Sequence, residues 1–115
     1  MENDINLFGK CPYATVQKIL GGKWTVLIIH NLCGKTLRFG ELKRRIPDVT
    51  QATLTKQLRN LEEHGIIDRH VYAEVPPKVE YSLSKMGQEF IYVLNELELF
   101  GDKYIKYLNE NSQKY

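Results

Sequence analysis

Between Lys35 and Asn60 the chain carries seven cationic side chains (Lys35, Arg38, Lys43, Arg44, Arg45, Lys56, Arg59) against Glu41 and Asp48, an excess of +5. From Leu61 to Leu83 the balance reverses to two basic against five acidic residues, −3. A chain with net charge +2 therefore gathers its positive charge on one short segment, where a polyanion would sit. Charge alone fits equally well a solvated face with incidental Lys and Arg. Direction comes from the residues interleaved with it: Gln51, Ala52, Thr53, Thr55, Lys56, Arg59 and Asn60. Small residues let a helix approach a nucleic-acid groove closely, and amides, hydroxyls and cations hydrogen-bond base edges and phosphates. Taken singly, each is an ordinary exposed helical position. As a set they describe a face suited to DNA.

Other chemistries find little support. His30, His64 and His70 fall on different predicted elements, with no paired acid and base and no metal-ligand spacing. Cys11 and Cys33 are too few for a disulfide framework or a zinc site, and neither belongs to a CxxC. No enzyme, metal site or cofactor is expected. His30, within an apolar helix, reads as a satisfied core histidine.

The elements that must carry this face can be read from periodicity and breakers. Pro12 suits the first turn of a helix to Leu20, ended by Gly21-Gly22. A nearly all-apolar helix over Lys23–Cys33 follows, with Gly34 at C′. The next helix spans Arg38–Ile46, with Phe39, Leu42 and Ile46 inward, and Pro47 stops it. Thr50 is placed as the N-cap of a fourth helix over 50–64, with Val49 and Leu54 spaced for a hydrophobic staple. Leu54, Leu58 and Leu61 form its buried stripe, and Gly65 closes it. Two β-rich runs within 67–83, turning at Pro76-Pro77, make a hairpin. Arg69, His70 and Lys78 on this hairpin are candidate phosphate or minor-groove contacts. Ser84 caps a final helix over 85–108, whose apolar residues exceed what a small domain can cover. That surplus points to a second subunit, with folding back on the first helix as the alternative. Two recognition helices about 34 Å apart then suit a palindrome.

The order helix, turn, helix, hairpin predicts an α+β, mainly helical fold: a winged helix-turn-helix with a two-stranded wing and N- and C-terminal dimerisation helices. One domain over 1–115 is expected, its DNA-reading part 35–83 and its dimerisation elements 11–20 and 85–108. At this length about two-thirds of the unfolded surface can be buried. The longest unbroken aliphatic run, Val26-Leu27-Ile28-Ile29, is far short of the roughly 20 residues of a membrane span. Met1–Lys10 lacks the pattern of a signal peptide. A cytoplasmic protein with reduced thiols and no membrane contact is the expectation.

The chain resembles the HxlR-type transcriptional regulators, a bacterial branch of the winged-helix proteins related to the MarR group. The likeness runs from Cys11 to Leu108. It is carried by Cys11-Pro12, Gly22-Lys23-Trp24, Arg38-Phe39-x-Glu41-Leu42, Leu54-x-x-x-Leu58-x-x-Leu61-Glu62, Gly65-Ile66-Ile67-x-Arg69, Pro76-Pro77-x-Val79-Glu80-Tyr81 and Gly87. Phe100 stands where that family often has tryptophan. The resemblance implies a homodimer, joined through its first and last helices, that binds a double-stranded DNA operator near the gene it controls. It also implies a DNA surface of Arg38, the recognition helix and the wing. Gln51, Thr53, Thr55 and Lys56 would then reach base edges and Ala52 would allow close approach, while Arg38, Arg44, Arg59, Arg69 and Lys78 would chiefly hold phosphates.

Cys11 precedes Pro12 at a helix N-terminus, where the macrodipole favours a thiolate. Regulators similar to this one use a cysteine at this place to sense oxidants or electrophiles; a residue that merely packs is the other reading. Cys33 reads as core. Two further alternatives stand beside the DNA reading: a winged helix used only to bind proteins, and a regulator switched by a small aromatic ligand held by Trp24, Phe39, Tyr13 and Tyr104.

Overall fold

The computed structural model describes residues 7–112. The expectation for the amino terminus lies outside these residues over 1–6, as does the domain boundary over 113–115. Five helices and one hairpin follow in the order α1 (Pro12–Ile19), α2 (Thr25–Leu32), α3 (Phe39–Arg45), α4 (Gln51–Glu63), β1 (Ile67–Tyr72), β2 (Lys78–Leu83) and α5 (Lys85–Asn111). This is the expected mainly helical α+β winged helix.

The caps explain the boundaries. Thr50 is the N-cap of α4, its hydroxyl accepting from the Thr53 N–H at 3.1 Å, which satisfies one of the free amide donors at a helix start. Ser84 does the same for α5 through the Gly87 N–H at 2.9 Å. Arg38 stands at the N-cap of α3, where Glu41 Oε1 accepts from its backbone N–H at 2.8 Å. Gly34 and Gly65 take φ of +67° and +74° just past α2 and α4, the left-handed conformation that a Cβ disfavours.

The core lies where α2, α3 and α4 meet the root of the wing. Ile28, Ile29 and Leu32 from α2, Leu42 from α3, and Leu54, Leu58 and Leu61 from α4 are buried, with Val49 beneath the turn. Burying one such side chain is worth roughly 1.5–3 kcal/mol, so these residues set the angle at which α4 is presented. Only one face of α2 is used this way. Leu27 and His30 are exposed, so His30 is not the core histidine that the apolar surroundings predicted; an apolar helix was buried on one side only.

β1 and β2 pair antiparallel from Ile67↔Leu83 to Tyr72↔Lys78. Leu37 adds a bridge to this sheet, exchanging both backbone bonds with Tyr81 at 2.9 and 2.8 Å. It ties the wing to the start of α3.

α5 has 27 residues, about 40 Å of helix at 1.5 Å per residue. Phe90, Ile91 and Leu94 pack against the core. Beyond them Leu97, Phe100, Tyr104, Ile105, Tyr107 and Leu108 are exposed, as are Tyr13 and Val16 of α1. The radius of gyration, 16.9 Å, exceeds the ~13 Å of a compact chain of this length, as a projecting helix requires. No helix among the described residues is long and apolar enough to cross a membrane.

Candidate DNA interface

α4 turns Leu54, Leu58 and Leu61 inward, and its geometry then fixes what the other faces show. Gln51, Ala52, Lys56 and Arg59 are exposed, while Thr53 and Thr55 are half-buried on either flank. Most of the predicted face is therefore presented as a set. Thr55 differs in detail: its hydroxyl donates to the Gln51 carbonyl at 2.9 Å, leaving its methyl group and acceptor lone pairs for an outside partner. Asn60 departs from the expectation. Its Nδ2 donates to the Ile19 carbonyl of α1 at 3.5 Å, so it braces the helix pair.

Sequence reasoning passed over Gln57. Its Oε1 accepts from the Trp24 N–H at 3.2 Å and the Thr25 hydroxyl at 3.4 Å, fastening the start of α2 to α4. A Cβ at Gly22 would lie 2.4 Å from Gln57 Nε2, so the Gly22-Lys23-Trp24 motif allows this close approach. That motif was the available signal; its partner, 33 positions on, left none.

The basic residues fall into two groups. Arg38, Arg44, Lys56 and Arg59 are exposed and have no salt bridge among the described residues. Arg69 and Lys78 are already engaged. Arg69 Nε lies 3.3 Å from Glu62. Lys78 Nζ is 3.5 Å from Glu80 and 4.6 Å from the centre of the Tyr72 ring. The Tyr72 hydroxyl donates to Glu80 at 2.8 Å. That bond, more than Lys78, holds the Glu80 carboxyl below its usual range and raises the Tyr72 phenol. Lys43, from the basic third helix, donates to the Pro47 carbonyl at 3.2 Å and serves the turn. The unpaired cations thus lie along α4 and α3, while those of the wing, already net acidic in sequence, are paired.

Both cysteines are free thiols. Cys11 is the half-buried N-cap of α1, and its side chain makes no capping bond. Its carbonyl accepts from both the amide and the hydroxyl of Thr15, at 2.9 and 2.7 Å. Cys33 closes α2, its Sγ 3.5 Å from the Ile29 carbonyl, and burial pushes its thiol up despite Lys35. The four aromatic residues named for a ligand sit in different surroundings within one chain. Trp24 and Phe39 pack on the core, Tyr13 is exposed, and Tyr104 lies in a row with Phe100 and Tyr107 on α5. Among the described residues no cluster of His, Cys, Asp or Glu could hold a metal ion.

Comparison with known proteins agrees with this geometry. The HxlR-like helix-turn-helix family model matches residues 19–109. The HTH-type transcriptional regulator YdeP of Bacillus subtilis (strain 168) is 43% identical over 97 residues, 84% of this chain and 76% of that protein. The crystal structure of the HTH-type regulator ytcD superposes with a TM-score of 0.80 at 42% identity, covering 84% of this chain and 98% of that one. The redox regulator HypR in its reduced form gives 0.79 at 34% identity, covering 91% of this chain and 100% of that one. The chain belongs to the HxlR-like helix-turn-helix family and is a transcriptional regulator built on a DNA-binding winged helix-turn-helix.

Proposed function

We propose that the chain is a homodimeric, sequence-specific regulator that binds a palindromic double-stranded DNA operator in the cytoplasm. It acts by occupying DNA rather than by catalysis. Helix α4 with its caps, residues 50–64, enters the major groove, and the wing within 67–83 lies beside the minor groove. The observation that carries this is the free outer face of α4: Ala52, Lys56 and Arg59 point away from Leu54, Leu58 and Leu61 and are exposed. Gln51, Thr53, Thr55 and Lys56 supply base contacts, and Ala52 lets the helix approach closely. Arg38, Arg44 and Arg59 supply phosphate contacts, as Arg69 and Lys78 do once drawn from Glu62 and Glu80.

The whole of 1–115 works as one domain, 35–83 reading DNA while 11–20 and 85–108 join the subunits. Support for pairing is the exposed apolar row Leu97, Phe100, Tyr104, Ile105 and Leu108 on α5, with Tyr13 and Val16 exposed on α1; large exposed apolar patches mark interfaces. Cys11 lies at the N-cap of that first helix. Similarity to the redox regulator HypR supports a role for its thiol in releasing DNA when oxidants or electrophiles modify it. If Cys11→Ser leaves operator release by oxidant unchanged, the sensor role fails.

The experiment for DNA binding is a salt titration. Each phosphate neutralised adds about 0.9 to the slope of log K against log salt. Arg59→Ala should weaken binding and flatten that slope by about this amount for each half-site. A slope equal to that of the unaltered protein removes Arg59 from the interface.

A further inference from the structure

A helix lying in the major groove has a sugar–phosphate strand on each side. The groove is about 12 Å wide and a helix with its side chains about 10–12 Å across, so both strands come within reach. On one flank of α4 lies the wing, with Thr55, Arg59, Glu62, Arg69 and Tyr81 lining the space between. There Glu62 already offsets Arg69. The other flank opens on a cleft of about 800 Å³ between α4, the end of α1 and the Gly21-Gly22-Lys23 corner. Lys18, Lys23 and Lys56 line it, and no carboxylate does.

All three lysines are exposed. Lys18 and Lys56 have no ion pair among the described residues, and Lys23 Nζ rests 5.1 Å from the centre of the Trp24 ring, a contact that leaves its charge uncancelled. The cleft also has a fixed shape. Gln57 binds the Trp24 N–H and the Thr25 hydroxyl, Asn60 binds the Ile19 carbonyl, and Gly22 admits Gln57 where a Cβ would collide. The backbone that carries Lys18 and Lys23 is therefore tied to the recognition helix, although both residues fall outside the basic segment visible in the sequence.

We propose that this cleft seats the DNA strand on the side of the recognition helix away from the wing, with Lys18 and Lys23 as phosphate contacts beside Lys56. The inference rests on α4 entering the major groove. It adds a backbone hold on the α1 side, opposite the wing.

The test uses the full chain with Lys18→Gln/Lys23→Gln, and Lys18→Arg/Lys23→Arg as the charge-preserving control. Affinity for operator and for a random duplex is measured by fluorescence anisotropy between about 50 and 200 mM salt. The Gln pair is expected to weaken both duplexes by the same factor and to lower the slope by about 1.8 per half-site, 0.9 for each lost phosphate contact. The Arg pair is expected to keep the slope. A slope unmoved by the Gln pair, with DNA still bound, overturns the cleft assignment and leaves the role of α4 intact. Failure of the unaltered protein to bind either duplex overturns both. Displacement of DNA by inorganic phosphate beyond the effect of chloride at equal ionic strength, abolished in the Gln pair, would assign the cleft to a free anion and also overturn the proposal.

Discussion

Replacing Gly87 by alanine places a Cβ 2.0 Å from the Ile66 carbonyl oxygen and 3.1 Å from its carbon. Both neighbours are backbone, so no side chain can swing aside. The Ile66 carbonyl also accepts from the Ser84 amide at 2.9 Å, while the Ser84 hydroxyl donates to the adjacent Gly65 carbonyl at 2.6 Å and caps α5 by accepting from the Gly87 N–H. Relief of the collision must pull on this cap. Overpacking alone costs about 1–3 kcal/mol, and each strained or lost hydrogen bond adds about 0.5–1.5 kcal/mol. The better helix propensity of alanine returns up to about 1 kcal/mol. The net expectation is a loss of about 2–4 kcal/mol, a large part of the 5–15 kcal/mol typical of a folded chain. Urea denaturation at one fixed protein concentration measures it, with Gly40→Ala as the comparison. At Gly40 the added Cβ meets only Arg44 Nη1 at 3.6 Å, and that substitution should stabilise by up to about 1 kcal/mol. If Gly87→Ala matches Gly40→Ala, the tight docking of α5 on Ile66 is wrong.

Further outcomes follow from single contacts. Thr50→Ala removes the acceptor for the Thr53 N–H and should cost about 1 kcal/mol in the same assay; no loss would mean that the α4 cap contributes nothing. Glu62→Gln releases Arg69 from its exposed ion pair. Such pairs are worth about 0–1 kcal/mol, so stability should barely change while DNA binding tightens up to about fivefold; weaker binding would place Arg69 off the DNA. Burial raises the Cys33 thiol, so in Cys11→Ser the remaining thiol should alkylate slowly at neutral pH and faster as pH rises through its elevated value. Rapid alkylation of Cys33 at neutral pH would contradict the packing around it.

The local features of this fold were open to reading. Thr50 and Ser84 cap as their sequence contexts predict, Leu54, Leu58 and Leu61 repeat at helical spacing, and Gly65 ends α4. Each depends on residues a few positions apart. The site was less legible because its side chains are divided among distant partners. Gln57 and Asn60 are turned to the α1–α2 corner, Arg69 to Glu62, and Lys78 to Glu80 and Tyr72. Charge counting along the chain sees none of these pairings, nor that Lys18 and Lys23 lie beside Lys56 in one cleft. His30 shows the converse: an apolar neighbourhood in sequence hides an exposed face when only one side of a helix is packed.

The central claim is that two copies of α4 read one operator from the major groove. Methylation interference at guanine N7, an atom of the major groove, tests it most directly. The expected pattern is two patches of interference centred about 10–10.5 base pairs apart, or a multiple of that spacing, weakened in Lys56→Ala, which removes a proposed base contact, and kept in Arg59→Ala, which removes a phosphate contact. Interference in a single patch would contradict the dimer, and binding with no N7 interference at guanine-containing sites would contradict the placement of α4.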